Sequence, residues 1–259
     1  MTITEKIFNR IKRQVGKAIG DFNLIEEGDR IAVGISGGKD SYTLLNILET
    51  LRKKAPIRFK LIALNIDSGF PSYQKELIEE YLQHQHFNYV MAETNSYQII
   101  EEKLRPGTSY CAFCARLRRG ALHAQAEKLD CNKIALGHHL DDFIETLFLN
   151  QFYAGTLASM SPKLLADNGK HTVIRPLVYV EEADIQEYSH LQKFPIVNCS
   201  CPAVGVDDQK RQKMKQLVKT LAADIPEIRN SMISAIGNVQ PRHLLDQHLI
   251  KENLEKLTP

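Results

Sequence analysis

An α/β fold with a doubly wound parallel sheet is predicted by three features of this 259-residue chain. Between residues 30 and 174, apolar strand-like runs alternate with segments of helical periodicity, a pattern that places helices on both faces of a parallel sheet. A glycine-rich turn, SGGKDS, separates the first of these runs from the helix that follows it. Beyond about residue 179 the pattern is mostly helical, so the sheet domain is followed by a helical extension.

In chain order, Thr2 with Glu5 suits a capping box, and Ile7, Ile11, Val15 and Ile19 recur every four residues, which predicts an amphipathic first helix. Residues 30–35 read as a buried strand and 42–53 as a helix. Residues 59–66 read as a second strand, 74–85 as a helix, and 88–91 as a third strand. A short helix over 97–104 leads through the turn pair Pro106-Gly107 into CAFC. Helix is expected again over 116–129, strand over 133–136 and helix over 142–152. A last strand over 172–174 follows the turn residues Asp167-Asn168-Gly169. Helices over 210–221 and 228–236 complete the pattern. These boundaries divide the chain into an N-terminal helix (1–27), a nucleotide-binding domain (28–178) and a mostly helical region (179–259).

No stretch approaches the roughly 20 apolar residues that span a bilayer, and the N-terminus lacks a signal-peptide core, so a cytoplasmic protein without a membrane partner is expected. Five cysteines, Cys111, Cys114, Cys131, Cys199 and Cys201, are an odd number. In a reducing compartment they favour metal or sulfur chemistry over structural disulfides. Net charge is only +2, so distribution matters more than total. Arg10, Lys12, Arg13 and Lys17 cluster in the first helix, Arg116, Arg118 and Arg119 follow CAFC, and Lys210, Arg211, Lys213, Lys215 and Lys219 crowd a later helix. Such groups either track nucleic-acid phosphates or are solvated helix faces.

The SGGKDS turn sits where a phosphate cradle belongs, between a strand and a helix. Gly37 and Gly38 allow consecutive N–H groups to face an anion, and the helix start adds its positive dipole end. Lys39 can neutralise phosphate charge, Ser36 and Ser41 can donate hydroxyls, and Asp40 can hold a metal or orient the loop. GHHLDDFIET (137–146) ends the fourth strand. Its paired carboxylates, Asp142 first and Asp141 second, can hold Mg²⁺ or move a proton, or simply cap a helix. Cys111 and Cys114 form a CxxC pair with Cys199 and Cys201 far downstream. A four-iron cluster on three thiolates leaves one iron open, whereas zinc wants four ligands. Cys131 reads as a packing residue, and spacing does not choose between Cys199 and Cys201.

SGGKDS resembles the loop of the PP-loop pyrophosphatase superfamily, of the adenine nucleotide alpha-hydrolase-like fold, whose members cleave ATP between the α and β phosphates. DFNLIEEGDRIAVGISGGKDSYTLL, CAFCARLRRG, IALGHHLDDFIETLFLNQFYAG, VIRPLVYV and FPIVNC together resemble the tRNA-cytidine(32) 2-sulfurtransferases over most of residues 10–245. That resemblance implies ATP-dependent replacement of a base carbonyl oxygen by sulfur on tRNA, with AMP and pyrophosphate as products. It implies that Ser36, Gly37, Gly38, Lys39, Asp40 and Ser41 hold the phosphates and that Gly34, Asp67 and Gly137 lie around the adenosine. It assigns a [4Fe–4S] cluster to Cys111, Cys114 and Cys199, with Cys201 as rival third ligand. Arg118 assists at the active site or binds tRNA phosphates. A cysteine desulfurase is the implied sulfur donor, and a homodimer stays open. A sibling 2-thiouridine synthetase, or a non-catalytic ATP- and RNA-binding module, is the alternative; the former typically carries extra CxxC zinc pairs, which are absent.

Overall fold

A computed structural model of the protein describes residues 2–105, 107–167, 169–198 and 209–247. Helix α1 (Ile3–Phe22) opens with the expected capping box, in which the Glu5 N–H donates to Thr2 Oγ1 at 3.1 Å and the Thr2 N–H to Glu5 Oε2 at 2.7 Å. Its apolar stripe buries Ile7, Ile11 and Val15, each contributing about 1.5–3 kcal/mol when fully removed from water. β1 (Arg30–Ile35), α2 (Lys39–Arg52), β2 (Lys60–Asp67), α3 (Lys75–His84) and β3 (Tyr89–Glu93) follow as strand–helix units. α4 (Ser96–Lys103), α5 (Tyr110–Lys128), β4 (Lys133–Ala135) and α6 (Leu140–Leu149) come next, then a π-helical turn over Asn150–Ala154. β5 (Lys163–Leu165), β6 (Thr172–Ile174), α7 (Glu182–Gln192), α8 (Gln209–Asp224) and α9 (Ile228–Gly237) complete the described helices and strands apart from a short 3₁₀ turn.

The sheet order among the described residues is β3-β2-β1-β4-β6-β5, parallel except for the β5–β6 pair. The chain runs outward from β1 through β2 to β3, then returns to lay β4 on the other side of β1. This switch point opens a crevice beyond the carboxyl ends of β1 and β4, where ligands of open α/β sheets bind. One face of the sheet is covered by α1, α2 and α7, whose Ile11, Leu44, Leu48, Ile185 and Tyr188 share a core with Ile31, Val33 and Ala135. α5 covers the other face, where Ala126 packs with Ala32, Leu64 and Ile134. α7 thus belongs to the core of the sheet although it lies past residue 178. α8 packs on α6 through Met214 and Val218 against Leu140, Ile144 and Phe148.

At the end of the sheet away from the crevice, Lys133 is almost wholly buried. Its ammonium sits 2.7 Å from Asp29 and 2.8 Å from Glu26 and donates to the Leu24 carbonyl at 3.1 Å. Losing one partner of such a buried pair costs about 3–5 kcal/mol.

Some boundaries differ from expectation. α2 starts at Lys39, so the phosphate-loop residues Lys39, Asp40 and Ser41 form its first turn. α5 starts at Tyr110, capped by Ser109 Oγ accepting from the Ala112 N–H, so both CxxC cysteines are helical. The turn around Gly169 closes a β5–β6 hairpin instead of introducing a lone strand, with the Gly169 N–H donating to the Ala166 carbonyl at 2.7 Å.

Candidate active site

The crevice is built around the junction of β1 and α2. Gly37 takes φ +83°, and a Cβ there would stand 2.9 Å from Val197 Cβ, so only glycine fits without displacement. Gly38 is the N-cap of α2, and the first N–H groups of this 14-residue helix face the crevice mouth without helical acceptors. Ser41 Oγ donates to the Gly38 carbonyl at 2.8 Å, and the Gly38 N–H to Ser36 Oγ at 3.3 Å, so both serines brace the loop.

The second wall is the turn after β4. Gly137 lies directly on the start of α2, where an added Cβ would meet Asp40 C at 3.0 Å and Ser41 N at 3.1 Å. That close approach brings His139 Nε2 to 3.7 Å from Asp40 Oδ1 and 3.5 Å from Asp142 Oδ2. Asp40 Oδ1 is buried and makes no hydrogen bond, with the Lys39 ammonium at 3.2 Å. Asp142 accepts from the His139 N–H at 3.0 Å and pairs with Arg211 of α8 at 3.0 Å. Asp141 points the other way. Its carboxylate accepts from the Glu182 N–H, at the start of α7, and from Arg229 Nε of α9, both at 2.8 Å.

Two adjoining cavities share Ser36, Ile66 and Arg118. The larger, about 400 Å³, is lined by Gly34, Leu64, Leu136, His138, Met160 and Arg175, among others. The smaller, about 200 Å³, is lined by Ser68, Phe70, Tyr73, Cys114 and Asn198 with the loop glycine Gly38. Ser68 Oγ and Asn65 Oδ1 are buried beside these walls without hydrogen-bond partners. Cys111 is exposed and Cys114 buried, three residues apart and therefore on neighbouring positions of the same helix face. The Val197 N–H donates to the Gly37 carbonyl at 3.0 Å and so clamps the FPIVN segment onto the phosphate loop. Asn198, which precedes Cys199, thereby lines the same cavity as Cys114. Cys199 and Cys201 lie outside the described residues. Cys131 is buried at the start of β4 with its thiol pushed up by burial, as a packing cysteine should be.

Electrostatically the site is a chain of opposed charges. Burial weighs against the Lys39 ammonium, but Asp40 and Glu182 raise its pKa above the ordinary lysine value. Glu182, 3.2 Å from Lys39 and 2.6 Å from Lys215, is held down at about 2 by these ammoniums despite its burial. Glu145 is pushed up to about 7 by burial, against the pull of Arg211 at 3.6 Å. Burial and the neighbouring Arg175 push His138 down to about 4, so its neutral ring can accept from Arg175 Nε at 3.2 Å. The Arg175 guanidinium is itself lowered by burial.

The structure brings Ser36, Gly38, Arg118 and Cys114 to the walls of the smaller cavity and Gly34 to the larger, while Gly37, Lys39, Asp40, Ser41, Gly137 and Asp142 gather around the start of α2. Asp141 and Asp67 are engaged with partners of their own, Asp141 with the Glu182 N–H and Arg229. Asp67 accepts from the Gly69 N–H at 2.8 Å and pairs with Lys75 at 3.3 Å, while its neighbours Ile66 and Ser68 form the cavity walls. Of the basic clusters, Arg10 pairs with Asp184, Lys17 with Asp21, and Arg211 and Lys215 with the acids above, whereas Arg116, Lys213 and Lys219 stay exposed. Glu182, Arg175 and Asn198 were not singled out. Arg175 was within reach of sequence reasoning, because it follows β6 at the carboxyl edge of the sheet. Glu182 was not, since nothing in its neighbourhood announces Lys39.

Residues 7–199 match the model of the PP-loop domain family. The chain is 62% identical over 247 residues to a tRNA-cytidine(32) 2-sulfurtransferase of Syntrophotalea carbinolica, covering 95% of each. It is 57% identical to one of Geotalea uraniireducens, covering 95% of this chain and 98% of that one. Its fold is similar to that of the U34-tRNA thiolase NcsA from Methanococcus maripaludis with its [4Fe-4S] cluster, with a TM-score of 0.72 at 19% identity over 92% of this chain and 81% of that one.

Proposed function

The chain belongs to the tRNA-cytidine(32) 2-sulfurtransferase family of PP-loop proteins, which makes it a tRNA-thiolating enzyme, and from that premise we propose that it uses ATP to convert cytidine 32 to 2-thiocytidine. One observation carries the assignment of parts: the phosphate loop and a CxxC cysteine wall two cavities that share Ser36 and Arg118.

The larger cavity accepts adenosine against Gly34, Leu136 and His138, and the phosphates extend over the glycine loop to the N-terminus of α2. There the free N–H groups and Lys39 stabilise the negative charge that grows as pyrophosphate leaves, a preorganised arrangement that needs little rearrangement during reaction. The cytosine enters the smaller cavity, where Phe70 and Tyr73 can hold its ring. Its C2 oxygen attacks the α phosphate as pyrophosphate leaves; a C2–S bond to incoming sulfide-level sulfur then forms as the C2–O bond breaks, and the oxygen departs as part of AMP. Arg118, on the wall common to both cavities, orients the α phosphate and the base toward each other. A base inside a folded loop must be unstacked to reach this position.

The buried Asp40 Oδ1, which makes no hydrogen bond and faces the Lys39 ammonium and His139, and nearby Asp142 fit a Mg²⁺ ion bound with ATP, which would neutralise phosphate charge. The two thiols on the first two turns of α5, one of them on the cavity wall, fit part of a thiolate ligand set. A [4Fe–4S] cluster held by Cys111, Cys114 and Cys199 would supply the sulfur at the sulfide level, replenished from the persulfide of a cytoplasmic cysteine desulfurase with two electrons from a cellular reductant.

Mass analysis of nucleosides from tRNA incubated with enzyme, ATP and a sulfur source tests the assignment. 2-Thiocytidine with AMP and pyrophosphate is expected; 2-thiouridine, or ADP as the tRNA-dependent product, would overturn it.

A further inference from the structure

We propose that Phe152, on the π-helical turn after α6, is a stacking platform for an unpaired tRNA base, flanked by Tyr153 and Lys210. The proposal rests on tRNA being the substrate and concerns a surface outside both cavities.

The turn over Asn150–Ala154 departs from α-helical geometry into a π-helical turn, a feature found frequently at functional sites. It is closed firmly: Gly155 takes φ +64°, the Thr156 N–H donates to the Asn150 carbonyl at 3.1 Å, and Asn150 Nδ2 donates to the Ala158 carbonyl at 2.8 Å. All residues from 151 to 158 are exposed, and Phe152 keeps 57% of its surface in water. An aromatic ring so exposed normally folds back onto the protein. Here one face already lies against the buried ring of Phe148, nearly parallel at 4° with centroids 5.4 Å apart, and the exposed remainder offers a second face. A base arriving there would extend an existing stack, and the ring is already ordered, so little freedom is lost on binding.

The charge around the ring favours nucleic acid. Lys210 Nζ sits 4.7 Å from the centroid of the half-exposed Tyr153 ring, and Lys213 is exposed one turn further along α8. Exposed rings interleaved with ammoniums suit alternating bases and phosphates, and RNA loops are recognised largely by stacking their unpaired bases on such rings. The position also fits. From Ala158 the chain passes through Ser159, whose hydroxyl donates to the Phe143 carbonyl at 2.6 Å, to Met160, which lines the larger cavity. The turn is thus tied through Ser159 and Met160 to the rim of the larger cavity, which adjoins the smaller cavity that the cytosine enters, and a base held on Phe152 helps keep the loop open.

The chain has no tryptophan, so Phe152→Trp introduces a single fluorophore at the platform. Its emission should be quenched by tRNA, with thiolation near the wild-type level. Phe152→Ala and Phe152→Leu should each raise KM for tRNA roughly tenfold, with kcat, KM for ATP and circular dichroism unchanged. Leu keeps the apolar bulk, so a loss in both variants isolates the aromatic face. An unquenched tryptophan together with wild-type tRNA affinity in Phe152→Ala would overturn the platform. So would a change in sedimentation with tRNA affinity unchanged, which would assign the surface to contact between copies of the chain. Failure of the wild-type enzyme to release pyrophosphate on adding tRNA would instead remove the thiolation reading itself.

Discussion

The two walls of the crevice are built on different terms. The phosphate wall is fixed by backbone: Gly137 lies against the start of α2, and Val197 is hydrogen-bonded to Gly37, so residues distant in sequence are held with no room for one extra carbon. The cysteine wall is the first two turns of a single helix, with Cys111 exposed and Cys114 behind it. A group that stabilises charge developing on phosphates must be preorganised, because reorganisation during the reaction would consume the stabilisation. A group that must be resupplied with sulfur after every turnover has to be reached from solvent.

The sharpest way to break this contrast is Gly137→Ala. A Cβ 3.0 Å from the Asp40 backbone would push the two loops apart. ATP affinity, by calorimetry, and thiolation should both fall by more than about a hundredfold while the fold persists. On the opposite wall, Cys111→Ala should abolish 2-thiocytidine without changing ATP affinity. If it weakened ATP binding as much as Gly137→Ala, the walls would not be separable. Lys39→Ala comes next, lowering tRNA-dependent pyrophosphate release by roughly 10²–10³-fold, the usual cost of one preorganised charge-stabilising group. Glu182 retains Lys215, so the melting temperature should change little.

The contrast also governs what was legible in the sequence. SGGKDS between a strand and a helix announces the phosphate wall because local turn chemistry and the strand–helix pattern agree. The capping box at Thr2 and Glu5 and the four-residue spacing of Ile7, Ile11 and Val15 were equally local, and all three formed as expected. Helical periodicity becomes clear only from residue 116, whereas α5 opens at Tyr110 because Ser109 caps it, a signal that stands outside the periodic run. β5 escaped notice because three residues pairing antiparallel with β6 carry no period of their own. The least legible layer is electrostatic. Asp141 and Asp142 are adjacent, yet one ties down α7 and α9 while the other faces Asp40 and Arg211, a division set by helices far along the chain.

That layer supplies the smallest effect. Glu145, with a folded pKa near 7 against an ordinary 4.5, favours the protonated form. Its stabilising contribution is fully present below about pH 4.5 and is lost as pH rises through 7. Glu182, held near 2, acts in the opposite sense, contributing above 4.5 and losing that contribution as pH falls toward 2. Urea midpoints across pH 4.5–8 should therefore decline less steeply in Glu145→Gln than in the wild type. An identical pH slope in both would show that Glu145 is ionised throughout.

The separation of the two walls is tested most directly by Cys114→Ala, with pyrophosphate and 2-thiocytidine measured in the same reaction. tRNA-dependent pyrophosphate should still be released, and no 2-thiocytidine should form. Wild-type amounts of 2-thiocytidine from this variant would contradict the assignment of sulfur delivery to the cysteine wall.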